Sequence, residues 1–306
     1  MLAYRHAFHA GNHADVLKHA VLVAVLRHMN LKDKGWRLVD THAGAGAYDL
    51  THGHALRHAE FENGIGRLWE APDLPPLLAD YVAQVAVAQH RLAPSGAVRA
   101  GPEAQEAGSS PTRPSLTRYP GSPELVRNLM RSQDQLRLHE LHPTDHESLA
   151  RRFAGDRAVQ VLRSDGFAGL KAHLPPPTRR GVLLIDPSYE LKRDYPATLD
   201  AVKEALARFA ECVVLVWIPL IADREAQALP QRLARVAQTQ GKRGSLHAQL
   251  TVAPPNDRGF GLLGSSMLII NPPHTLQEQL AAALPVLVER LGQFGGAGHR
   301  LQADLV

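Results

Sequence analysis

Two apolar runs constrain this chain more than any other feature. Gly181–Ile185 reads GVLLI and Cys212–Trp217 reads CVVLVW, and neither holds a charged residue. Short continuous runs rich in Val, Leu and Ile are strands buried on both faces, which occur where helices cover both sides of a largely parallel sheet. The rest of the chain supplies the other parts. Further strands are expected at 36–40, 136–140, 158–162 and 246–252, with Ser266–Ile270 as the last. Helical spacing is expected over 14–29, 123–132, 144–153, 195–209 and 223–240. Strands alternating with helices of this length predict an α/β fold with a mostly parallel sheet. Ligands in such folds sit at the carboxyl ends of the strands. That rule selects Asp40–Gly46, Glu140, Asp165 and Asp186.

Composition excludes several classes. Of the 306 residues 44% are hydrophobic, enough for a sizeable core and incompatible with a disordered or fibrous chain. A lone cysteine, Cys212, excludes a disulfide framework and a cysteine-based zinc site. Thirty-four Lys and Arg against 30 Asp and Glu leave +4, compatible with a polyanionic partner but not proof of one. There is no apolar stretch long enough to span a membrane and no signal-peptide core, so a soluble cytoplasmic protein is expected. Residues 48–92 read as mostly helical with a break at Pro72–Pro76, and 93–118, rich in Pro, Gly, Ser and Ala, reads as a flexible surface insertion.

The strand ends carry the chemistry. Gly44 and Gly46 permit close backbone approach to a ligand. The dinucleotide fingerprint would want a third small residue at 49, where Asp49 stands, so a nicotinamide-dependent oxidoreductase is disfavoured. Glu140 could accept two ribose hydroxyls, and Asp165-Gly166-Phe167 could bond and stack a purine, although each acidic strand end is also a ready helix cap. The sharpest signal is Asp186-Pro187-Ser188-Tyr189, directly after an apolar strand. The Asp186 carboxylate and the Pro187 carbonyl can each accept an N–H of an exocyclic amine, orienting its lone pair toward an electrophilic methyl group, while Tyr189 offers a stacking face. The plain alternative is a turn after a strand. Asn271-Pro272-Pro273-His274 resembles this box but lacks the aromatic, and is read as a structural turn. His6, His9 and His13 invite a zinc reading, but no nearby carboxylate completes a set and no metal is expected.

These residues resemble the bacterial RlmJ proteins, 23S ribosomal RNA adenine-N6 methyltransferases that use S-adenosylmethionine. The resemblance lies in Tyr4-Arg5-His6 through His19, in Asp40 to Gly46, and in Tyr119-Pro120-Gly121-Ser122-Pro123. It continues through Glu140-Leu141-His142-Pro143, Asp165-Gly166-Phe167, Asp186 to Glu190, and Asn271-Pro272-Pro273. It implies a Rossmann-like, seven-stranded methyltransferase sheet formed by 1–47 and 119–306, with 48–118 as a small helical insertion subdomain. Asp186, Pro187 and Tyr189 would be catalytic. Lys18, His19, His42, Gly44, Ser122, Glu140, Asp165, Gly166 and Asp186 would meet the cofactor, and Tyr4 and Tyr189 the RNA. The family box is usually Asp-Pro-Pro-Tyr, whereas Ser188 stands third here, and 93–118 is longer than the corresponding family loop. Arg5, Lys18, Lys192 and Arg193 are candidate phosphate contacts, and a monomer is expected. The competing readings are a DNA adenine-N6 methyltransferase and a non-catalytic RNA-binding module.

Overall fold

The structure, a computed structural model, describes residues 6–51, 59–92, 113–256 and 261–306. Tyr4, Arg5 and most of the expected flexible insertion lie outside these residues. A short 3-10 turn at His6–Phe8 leads into α1 (His13–Asn30). Asn12 caps α1, its side-chain oxygen accepting from the N–H groups of Ala14 at 3.0 Å and Asp15 at 3.1 Å. Then follow β1 (Arg37–Asp40) and the short β2 (Ala47–Asp49). After α2 (Gly66–Trp69) and α3 (Pro76–Leu92) the chain returns in β3 (Arg118–Pro120), antiparallel to β2.

The second half alternates as expected: α4 (Ser122–Leu129), β4 (Gln135–His139), α5 (Pro143–Arg152), β5 (Val159–Leu162), the turn α6 (Gly166–Gly169) and β6 (Gly181–Ile185). Then come α7 (Asp194–Arg208), β7 (Val213–Leu220), α8 (Arg224–Gln240), β8 (Ser245–Thr251), β9 (Gly264–Ile270), α9 (Leu276–Leu291) and β10 (Gly298–Asp304).

One sheet runs β10-β8-β9-β7-β6-β1-β4-β5, parallel from β5 to β7 and antiparallel beyond. Period-two alternation divides its side chains between two cores. Leu38, Val182 and Leu184 face α1, α3, α4 and α9, while Val39, Leu183 and Ile185 face α7 and α8. Leu78, Tyr81 and Val85 of α3 lie in the same apolar cluster as Leu17 and Val21 of α1.

Three expectations need correction. The main sheet has eight strands, not seven, because β10 adds an antiparallel edge after the strand expected to be last. Its sequence, GHRLQAD, carries no apolar pattern, and backbone pairing to β8 forms it. The stretch from 48 is less helical than expected, since β2 occupies 47–49 and the long helix begins only at Pro76. At the far end of the supposed flexible segment, residues 113–118 are anchored. Arg113 donates to the Trp69 carbonyl, the Trp69 indole donates to the Pro114 carbonyl at 2.9 Å, and the Gln89 side-chain oxygen accepts from the N–H of Thr117 at 2.8 Å. Asn271 does behave as a structural turn. It is fully buried at φ +54°, its side-chain oxygen accepts from the N–H groups of Lys242 and Arg243, and its amide donates to the Ala210 and Cys212 carbonyls.

Candidate active site

The carboxyl ends of β1, β4 and β6 open into a cleft of about 700 Å³, within the range of small-molecule sites. Of the expected residues within the described chain, Lys18, His19, His42, Gly44, Ser122, Glu140, Asp165, Gly166, Asp186, Pro187 and Tyr189 all line it. They come from six separated segments, brought together by the strand ends and by α1.

Asp186 follows β6 directly. Its Oδ2 accepts from Lys18 Nζ at 2.5 Å, and Lys18 also forms an ion pair with Asp15 Oδ1 at 2.9 Å. The Lys18 and Asp15 side chains are 6% and 1% exposed, whereas Asp186 is 16% exposed and faces the cleft. Burial opposes the Lys18 charge, yet the Asp15 and Asp186 carboxylates hold its pKa well above the ordinary lysine value. Burial likewise opposes ionisation of Asp15, and His6, Lys18 and His19 keep its carboxyl well below the usual range. Among the described residues no hydrogen bond reaches Asp186 Oδ1. Lys18 is therefore not a phosphate contact, as its sequence alone allowed: its ammonium is spent on two carboxylates. Asp15 went unassigned in the sequence, where the only signal is its i,i+3 spacing to Lys18 on one helix face. Asp15 Oδ2 also accepts from His6 Nε2 and from the Gly11 N–H, both at 2.8 Å.

The remaining residues build the floor and walls. Asp40, the last residue of β1, is wholly buried; its Oδ2 accepts from Ser122 Oγ at 2.6 Å and its Oδ1 from the His42 N–H at 3.1 Å. Burial pushes its pKa up to about 6. Glu140 accepts the Gly44 N–H at 2.8 Å and the His142 N–H at 2.7 Å, and burial raises its pKa. Gly44 sits at φ +63°, a left-handed conformation that suits glycine. Asp165 caps the Phe167 N–H at 2.8 Å, so it is the helix cap and a cavity-lining acid at once. Gly166 packs so closely that a Cβ there would lie 2.2 Å from the Thr41 carbonyl oxygen. His42 meets the Phe167 ring edge-on at 5.0 Å, and burial lowers its pKa to about 4, so it is neutral. His19 Nδ1 shares a hydrogen bond with Tyr119 Oη at 2.7 Å, and its buried Nε2 has no hydrogen-bond partner among the described residues.

Tyr189 holds a strained φ of +54° and is 7% exposed. Its hydroxyl donates to the Trp217 carbonyl at 3.0 Å and its ring stacks on Tyr195 at 4.7 Å. One face of the ring is thus covered by protein. His6 and His9 do not converge on a common point, His9 being held 3.0 Å from Glu60 while His6 bonds Asp15. No group of three or more His, Cys, Asp or Glu able to hold a metal occurs among the described residues. No helix there is long and apolar enough to cross a membrane.

The charge of the cleft says what it can bind. Among the described residues, Asp15, Glu140, Asp145, Asp165, Asp186, Glu190 and Asp194 line it, against the permanent cations Lys18 and Arg193 alone. Such a cavity suits a cationic sulfonium and an amino acid ammonium, and it is hostile to the pyrophosphate of a dinucleotide. The residues present therefore fit S-adenosylmethionine: Glu140 can receive ribose hydroxyls, Asp165 and Phe167 a purine, and the acidic lining the positive charge.

Fold and cleft together define a Rossmann-like methyltransferase that uses S-adenosylmethionine. Comparison with known proteins narrows this class. Residues 33–101 and 111–303 match the family described as "Ribosomal RNA large subunit methyltransferase D, RlmJ". The chain is 41% identical over 299 residues to Ribosomal RNA large subunit methyltransferase J of Escherichia coli, covering 98% of this chain and 97% of that protein. It is 40% identical over 291 residues to the protein of the same name from Haemophilus influenzae, covering 95% and 94%. A crystal structure of a Legionella pneumophila protein is similar with a TM-score of 0.80 at 30% identity, covering 96% of this chain and 98% of that one. The chain belongs to the RlmJ family of ribosomal RNA large subunit methyltransferases.

Proposed function

We propose that this enzyme methylates N6 of a single adenine in 23S ribosomal RNA, acting as a cytoplasmic monomer on naked or partly assembled RNA. S-adenosylmethionine would supply an electrophilic methyl group on a cationic sulfur. One observation carries the reading: Asp186 lines the cleft and is fixed through Oδ2 by a buried lysine, with no hydrogen bond to Oδ1 among the described residues. In this reading Oδ1 and the Pro187 carbonyl accept the two N–H bonds of the adenine amine and turn its lone pair toward the methyl group. The methyl group would pass from sulfur to nitrogen, the S–CH3 bond breaking to leave neutral S-adenosylhomocysteine, and one amine proton would pass to Asp186. Tyr189, backed by Tyr195, is the platform for an adenine turned out of its stack. Alignment of amine and methyl group within about 3–3.5 Å is the main demand on the protein. Glu140, Asp165 and Gly166 would hold the nucleoside, and His42, Ser122 and Asp40 the loop beside it. Residues 1–47 and 119–306 would form the methyltransferase unit, with 48–118 inserted into it.

The test uses 23S RNA from cells lacking the protein, with labelled cofactor and mapping of N6-methyladenine. One new mark on this RNA, lost with Asp186→Ala while S-adenosylhomocysteine still raises the Tm, is the expected result. Labelling of duplex DNA but not of unmarked RNA would overturn the substrate, and full activity of Asp186→Ala would overturn the catalytic assignment.

A further inference from the structure

An RNA enzyme with an acid-rich cleft must draw its phosphate affinity from elsewhere, because phosphate neutralisation supplies much of RNA binding. The opposite end of the sheet offers it. Three loops meet at the amino ends of β1, β6 and β8, bringing together the exposed or half-exposed Lys32, Lys34, Arg179, Arg180, Lys242 and Arg243. Arg180 ties two of these loops, donating to the Met29 carbonyl at 2.6 Å and to that of Lys34. Asn271 gathers the third through the N–H groups of Lys242 and Arg243, which leaves both of those side chains outward and exposed. His28 lies at the centre, 5.2 Å from the His274 ring, and its buried Nδ1 has no hydrogen-bond partner among the described residues. Burial lowers its pKa, and the Arg243, Arg180 and Lys32 cations around it lower it further. Four carboxylates share these loops and strand ends: Asp134 is buried, pairs with Arg131 at 3.0 Å and also acts on Arg180, and the other three lie nearer solvent. Asp33 turns to Gln133 at 3.4 Å, Asp304 to Gln302 at 3.1 Å, and Glu211 is exposed beside β7.

We propose that this basic end of the sheet is a second RNA-binding surface, holding phosphate backbone of the substrate at a distance from the adenine in the cleft. Arg180 and Asp186 flank the same strand, so at a strand rise of about 3.3 Å the surface lies roughly 20 Å from the catalytic carboxylate. It engages a part of the RNA other than the reacting nucleotide, and its contribution depends on RNA length. The proposal rests on RNA being the substrate, and it concerns binding rather than methyl transfer.

The test is a variant carrying Lys32→Gln, Lys34→Gln, Lys242→Gln and Arg243→Gln. These changes spare the backbone groups that Arg180 and Asn271 hold. Binding of 23S RNA is measured by filter retention over a salt series, beside a short fragment around the methylated adenine. The variant is expected to bind long RNA at least tenfold more weakly near physiological salt. The slope of log affinity against log salt should shrink by roughly 3, as for four lost phosphate contacts. Short-fragment binding, S-adenosylhomocysteine affinity and Tm should be unchanged. Unaltered long-RNA affinity and salt slope in a folded variant overturn the second surface, as does an equal loss on the short fragment. Absence of methylation by the wild-type protein would count against the proposed function instead, and the binding comparison would still decide the surface.

Discussion

Replacing Lys18 with methionine isolates the electrostatics of the site. The side chains are similar in length, but the Nζ bonds to Asp186 at 2.5 Å and Asp15 at 2.9 Å vanish. Removing one partner from a buried ion pair costs about 3–5 kcal/mol, since the remaining charge is stranded. Asp186, open to the cleft, can recover water, and Asp15 keeps His6 and the Gly11 N–H. The cost should therefore fall near the lower bound, about 3 kcal/mol, which at about 2 °C per kcal/mol for a large domain lowers Tm by about 6 °C. The pH dependence carries a sign. Asp15 is held well below the ordinary carboxyl value of 3.8 in the native protein, so it contributes stability above that value which is lost as pH falls. Without Lys18 the native Asp15 carboxyl takes up a proton more readily, and the stranded charge is relieved in acid. Urea unfolding at pH 7 and near pH 4.5 should show a gap between wild type and variant that is full at pH 7 and smaller in acid. A Lys18→Met variant within about 0.5 kcal/mol of wild type at pH 7, the range of an ordinary surface change, refutes the argument. So does a gap that widens on acidification.

Other perturbations test the walls of the cleft. Gly166→Ala would press a Cβ to 2.2 Å from the Thr41 carbonyl and displace the loop that carries His42; calorimetry should show at least tenfold weaker S-adenosylhomocysteine binding, with about 1–3 kcal/mol lost from unfolding. Asp40 has its pKa raised to about 6 by burial, so the native state holds its proton longer than the unfolded chain and stability falls as pH rises from about 3.8 to 6. Asp40→Asn should accordingly gain on wild type across that window in urea titrations; a constant difference would mean that Asp40 does not titrate there.

The legible parts of this protein were those that depend on local pattern. Gly181–Ile185 is apolar at every position because both faces of β6 are covered, and that requirement shows in any five consecutive residues. Asp186 then stands out as the first charge after the run. β10 and the β2–β3 pair were invisible for the opposite reason. β10 holds only half-buried and exposed residues, and β2 joins β3 across a long intervening segment, so pairing partners rather than side-chain pattern make them strands. That one face of the Tyr189 ring is covered by Tyr195, six residues on, was not legible either, because it depends on how the chain turns between them.

The one-dimensional string thus determined the buried central strands, their alternation with helices, and which acids end those strands, because each follows from short-range hydrophobic periodicity. Only the tertiary structure decided the fate of charge: that Lys18 of the first helix belongs to Asp186, that Asp15 holds the same lysine, and that acids line one end of the sheet while unspent cations crowd the other. Coulomb interactions depend on distance in space and on burial, and neither is encoded in separation along the chain.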